Sequence, residues 1–242
     1  MRLSGAALST AALAAVLLLW SRSANASAVA DTSIDPAIVP SDAPEFDGPV
    51  TDAEPDLSMV DWLDIPGYVS TVGDMATNLA AFLYMIRNCE HRADDVRALG
   101  DYGTFFGGSR FYNFSDHPVL TGEKKGVPLK PEWCRRAGFA SGVCVSTAAG
   151  AYQFTVRTWQ DMRRSGPWGP RLPDFTPASQ DTAAARLLGT LGVPELLAAG
   201  QLDQAVRVAS QRWASLPGST SGQPQKSLAF AMAKFDEGLR LA

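Results

Sequence analysis

The chain has 242 residues, 46% of them apolar and 19% charged, with a formal net charge of −4. This length and apolar content fit one globular domain with additional segments. A single long apolar run excludes a multi-spanning membrane protein. Two histidines, no HExxH pattern and cysteine spacings of 45 and 10 argue against a metal site, and no cofactor is expected.

At the start of the sequence, Arg2 precedes an apolar run from Gly5 to Trp20, followed by Ala24-Asn25-Ala26 and Ala28-Val29-Ala30. A basic start, an apolar stretch and A-x-A sites make a secretory signal over residues 1–26. The run is shorter than the roughly 20 residues that span a bilayer, so residues 5–20 act either as a cleaved signal or as an N-terminal anchor. Export to the periplasm or cell envelope is expected in both cases. Residues 27–70 are rich in Pro, Asp, Ala and Ser. No Lys or Arg occurs between Ser23 and Ile86, where there are 11 acids. Low hydrophobicity and one-sided charge cannot offset ordering entropy, so this segment reads as a disordered acidic linker.

The body of the chain spans residues 71–242. From Arg87 onward it carries 19 Lys and Arg against 14 Asp and Glu, a net +5. That suits an anionic partner such as a bacterial wall, or an ordinary solvated surface. The basic residues are scattered and carry no nucleic-acid motif, so no nucleic acid is expected. Residues 74–91 have apolar positions near helical spacing. Residues 100–120 alternate glycines with aromatics and turn at Gly107-Gly108, which predicts a hairpin or irregular sheet. Residues 121–146 read as a long loop. It contains Cys134 and Cys144, close enough for a loop-closing disulfide, while Cys89 reads as a buried apolar residue. Further helices are expected over 148–164, from Thr176-Pro177 to Leu188, over Leu202–Trp213 and over Gln225–Leu239. The fold class is α+β, mainly helical with a small β element.

Glu90 closes the first helix, at the seam between an apolar core and the glycine-aromatic segment. Desolvation and the negative end of the helix dipole would both raise its pKa, as a general acid requires. The competing reading is a surface carboxylate paired with Arg87 or Arg92. Tyr102, Phe105, Phe106, Phe111, Tyr112 and Phe114 could cover the apolar faces of sugar rings, or pack core and hairpin. Gln153, beside Tyr152, can both donate to and accept from sugar hydroxyls. His91 and His117 read as structural.

Blocks AFLYMIRNCE (81–90), FFGGSRFYNFSDHP (105–118), STAAGAYQF (146–154), LPDFTPASQD (172–181) and RWASLPG (212–218) occur in one order. Over residues 80–240 they resemble the lytic transglycosylases of the lambda-endolysin type. The resemblance implies a lysozyme-like α+β fold with a small hairpin or sheet lining the cleft. It also implies cleavage of the β-1,4 bond from N-acetylmuramic acid to N-acetylglucosamine, giving a 1,6-anhydromuramyl end. Glu90 takes the family's catalytic position, and Tyr152 and Gln153 match its Gly-x-Tyr-Gln block. The cleft residues expected are Tyr102, Phe105, Phe106, Asp116, Tyr152 and Gln153, with Asp116 also read as a turn cap. The partner implied is the glycan strand of peptidoglycan, met by a monomer. Two alternatives stay open: a hydrolytic muramidase using Glu90 with Asp101 or Asp116, and a wall-binding module without turnover. The chain departs from the family in having His91-Arg92 where Gly-Thr is common. It also departs in the Cys134–Cys144 loop, an insertion relative to the lambda protein.

Overall fold

A computed structural model of the chain describes residues 75–242, so the signal-like segment and the whole acidic linker over 27–70 lie outside the described residues. In chain order the helices are α1 (Met75–Glu90), α2 (Ala93–Arg97), α3 (Pro131–Arg136), α4 (Val156–Arg163), α5 (Pro177–Thr190), α6 (Val193–Ala198), α7 (Leu202–Ala209) and α8 (Leu228–Leu241). Two short strands, β1 (Val127–Pro128) and β2 (Val145–Ser146), pair antiparallel, with Val127 opposite Ser146. None of the described helices is long and apolar enough to cross a membrane.

α1 is the axis of the domain. Ala81, Phe82, Leu83, Met85 and Ile86 are all fully enclosed, so this helix buries nearly its whole circumference rather than one stripe. It packs against α5, α6 and most extensively α8. The α1–α8 approach is close because Gly238 faces Ala81: a Cβ on Gly238 would lie 2.8 Å from the Ala81 Cα. Phe82 meets Phe235 of α8 edge to face, with centroids 6.4 Å apart. α5 starts as its sequence dictates, with Pro177 in the first turn. The Thr176 side chain does not cap it. Asp174 accepts from the Thr176 amide (3.1 Å) and from the Thr176 and Ser179 hydroxyls (2.7 Å each).

The glycine-aromatic segment does reverse at Gly107 and Gly108, both at positive φ, but it forms no ladder. It makes single bridges, Thr104 to Arg110 and Phe105 to Ala149, between 3-10 turns at Asp101–Gly103 and Phe106–Gly108. The two-stranded sheet instead lies inside the segment expected to be loop, at the base of the Cys134–Cys144 excursion. The helix expected from 148 starts only at Val156. Before it, Ala149 bridges Phe154 around a tight turn with Gly150 (φ 77°) and Gln153 (φ 47°) in the left-handed region. α6 has no counterpart in the sequence reading.

Candidate active site

α1 delivers Glu90 at its last residue, where the chain leaves the core. The residue is half-buried, and burial of its carboxyl pushes its pKa up to about 7 against smaller opposing effects of Ser215 and Lys226. Its hydrogen-bond partner is Ser215, whose hydroxyl donates to Oε1 and whose backbone amide also favours the charged form. Lys226 follows on the same loop, held by its backbone N–H to the Ser215 carbonyl at 2.8 Å. Arg87 is not the partner of Glu90. It is committed to Asp101, with bonds of 2.6 and 2.9 Å, and both side chains are buried. Cys89, the free cysteine, is buried beside the carboxylate, and its thiol is pushed up to about 12, chiefly by burial.

The turn after β2 forms the next wall. His91 Nε2 lies 3.1 Å from the Gly150 carbonyl, and burial lowers its pKa. Gln153 Nε2 donates to the same carbonyl at 2.9 Å and, less closely, to Thr104 at 3.4 Å. Gly150 must be glycine on two grounds: its positive φ, and a Cβ that would fall 2.1 Å from Gln180 Oε1. Gln180 ties the turn to α5 by accepting from the Ala151 amide at 2.8 Å. Trp213 Nε1 donates to the Tyr152 carbonyl at 3.1 Å, which joins the turn to the loop carrying Ser215.

Several residues expected in the cleft lie behind it. Tyr102 and Tyr152 are buried, and both hydroxyls donate to Asp181 Oδ1 at 2.7 Å. Their rings therefore pack the core under the site, with the Arg87 guanidinium 4.3 Å over the Tyr102 ring. Burial raises the Asp181 pKa to about 6 despite those two bonds. Phe105 is buried and Phe106 is packed partly against the core. Asp116 accepts from the His117 amide (2.7 Å) and Trp159 Nε1 (2.8 Å) and pairs with Arg163. Burial opposes its ionisation, but those bonds outweigh it and hold the carboxyl below its ordinary range. Asp116 is thus a structural tie between the glycine-aromatic segment and α4. His117 is buried, with Nε2 3.0 Å from the Phe154 carbonyl, and burial lowers its pKa to about 4. Cys134 and Cys144 are disulfide-bonded, with Cα atoms 5.6 Å apart. Among the described residues no group of three metal-ligating side chains comes together.

Ser215, Lys226 and Asp181 were not singled out from the sequence. The RWASLPG and LPDFTPASQD blocks contain Ser215 and Asp181, but no spacing rule links either to Glu90.

The endolysin family model matches residues 80–239. The endolysin of Escherichia phage lambda is 34% identical over 136 residues, which cover 56% of this chain and 73% of that one. The endolysin of Escherichia phage P2 is 33% identical over 160 residues, covering 62% and 86%. Bacteriophage lambda lysozyme, solved in complex with a chitohexasaccharide, superposes with a TM-score of 0.52 at 31% identity, covering 67% of this chain and 94% of that one. The fold is lysozyme-like, and the chain belongs to the endolysin family.

Proposed function

We propose that this protein is a peptidoglycan lytic transglycosylase in which Glu90 serves alone as acid and then base. The observation that carries this reading is the contrast between Glu90 and the other candidate carboxylates. Glu90 titrates near 7 and stands partly open at the seam of α1. Asp101 is sealed against Arg87, and Asp116 is bound by Trp159, His117 and Arg163. A hydrolytic pair needs a second carboxylate free to hold a water or attack the sugar. A transglycosylase needs one. Glu90 protonates the bridging oxygen as the bond to C1 of N-acetylmuramic acid breaks. The C6 hydroxyl of that sugar then bonds to C1 and returns its proton to the Glu90 carboxylate, so the acid is regenerated and no water is consumed. The chitohexasaccharide bound by lambda lysozyme supports a glycan as the ligand of this fold. Reaching the wall would rely on the secretory segment at residues 1–26.

The test is mass spectrometry of fragments released from purified peptidoglycan. Transglycosylated products are lighter by one water than hydrolysed ones. Release should stop in Glu90→Gln. Products of hydrolytic mass, or equal release by the variant, would overturn the assignment.

A further inference from the structure

The chemistry proposed for Glu90 uses no residue of the Cys134–Cys144 excursion, yet this segment is built as a firm lobe. Its base is the β1–β2 pair. Leu129 N–H donates to the Cys144 carbonyl (3.0 Å), Phe139 N–H donates to the Cys134 carbonyl (2.9 Å), and the disulfide closes it. Between Glu123 and Val145 the sequence has five Lys and Arg against two Glu. One of those acids, Glu123, is exposed but engaged, accepting from the backbone amides of Tyr112 and Asn113 at 2.9 Å each. Lys125, Lys130 and Arg135 are exposed and close no ion pair with a described residue.

The lobe also presents large apolar groups to solvent. Trp133 is 37% exposed and Val143 56%, and Tyr112, whose backbone amide donates to Glu123 just ahead of β1, is 80% exposed. Two of the five large exposed apolar residues of the described chain thus lie in the lobe, and a third is tied to Glu123, four residues before β1. Lys130 sits 5.8 Å from the Trp133 ring, leaving an aromatic face framed by a cation. That combination fits a polymer with both apolar ring faces and negative charge. The lobe is also continuous with the site. From Ser146 at its base to Gly150, the partner of His91, the chain has four steps, at most about 14 Å when extended.

We propose that this lobe is a second binding surface for peptidoglycan, with sugar faces stacking on Trp133 and Tyr112 and stem-peptide carboxylates meeting Lys125, Lys130 and Arg135. The identity of the polymer rests on the wall-cleaving reading above. Continuity with the site favours the glycan over an anionic lipid surface, the other partner such a lobe could suit.

The test uses the full chain with Glu90→Gln, so that bound wall is not consumed, with and without K130Q, W133A and R135Q together. Sedimentation with purified sacculi should fall roughly tenfold in the lobe variant. Added salt should weaken the parent more than the variant. With Glu90 retained, the loss from the three changes should appear in KM for sacculi, with kcat kept. Equal sedimentation of both proteins would overturn the proposal. So would retention of the parent by phosphatidylglycerol vesicles in preference to sacculi. Failure of the Glu90 chain to release wall fragments would remove the catalytic reading instead, and sedimentation would still decide the lobe by itself.

Discussion

The Ser215 hydroxyl donates to Oε1 of Glu90 across 125 residues of chain. A donor to a carboxylate stabilises its charged form, so Ser215 opposes the burial that pushes Glu90 up to about 7. Removing it in Ser215→Ala should move the alkaline limb of the pH–rate profile to higher pH. Turnover should also drop, on the order of tenfold, because the carboxyl loses the bond that orients it. Rates of wall clarification between pH 5 and 9 check this. A limb that stays in place or moves to lower pH would show that Ser215 does not stabilise the charged form of the titrating acid.

Glu90 itself should weaken the fold at alkaline pH. Its carboxyl ionises near 4.5 when unfolded and near 7 when folded. Between those values the folded state holds the extra proton, so this group's contribution to stability falls as pH rises through that window and stays low above it. Glu90→Gln keeps the shape and removes the charge. At pH 8 the variant should be more stable than the parent, by about 2 kcal/mol. Below pH 4.5 the gain should vanish. Thermal melts at pH 4 and pH 8 provide the comparison, and a gain independent of pH would point to a cause other than the buried charge.

One turn before Glu90, Arg87 is buried with Asp101 as its ionic partner. Asp101→Asn removes the balancing charge and leaves the guanidinium enclosed against the face of the Tyr102 ring. Breaking a buried pair from one side typically costs about 3–5 kcal/mol. For a domain of this size that lowers Tm on the order of 10 °C. A loss of only a few degrees would mean that water reaches the pair.

What could be read in advance follows from how local each feature is. α1 carries its own apolar pattern, and its last residue is where the pattern stops, so both the helix and Glu90 were legible. Gly107-Gly108 announced a reversal, but not that its flanks would meet each other by one bridge alone and Ala149 by another. Residues 148–155 look helical by composition. The turn there is imposed by distant partners, Gln180 on Ala151 and Trp213 on Tyr152. The aromatic residues misled for a related reason. Tyr102 and Tyr152 have the surface chemistry of sugar platforms, and only the position of Asp181, 79 and 29 residues away, shows where their hydroxyls go. Asp116 had the opposite history: its turn-cap reading was local, and its bonds to His117, Trp159 and Arg163 extend it. Ser215 and Lys226 were beyond reach because their meeting with Glu90 exists only once α1 and the loop before α8 are packed.

The turn that shapes the site wall can be tested at its glycine. In Gly150→Ala two costs add: a side chain at φ 77°, and a Cβ driven against Gln180 Oε1. Gly138 offers the control, since its φ is 90° and nothing lies within 4 Å of an added Cβ. Gly138→Ala should therefore cost only the left-handed penalty, about 1 kcal/mol. Gly150→Ala should cost roughly 2–4 kcal/mol, because the well-packed wall must also shift. The Gly150 carbonyl receives both His91 and Gln153, so that shift should reach the residue next to Glu90 and lower kcat. Gly138→Ala should leave kcat as it was. Denaturant midpoints and turnover of the two variants, measured side by side, separate backbone strain from collision. Equal losses in both would show that the Gly150–Gln180 contact is not what fixes the turn.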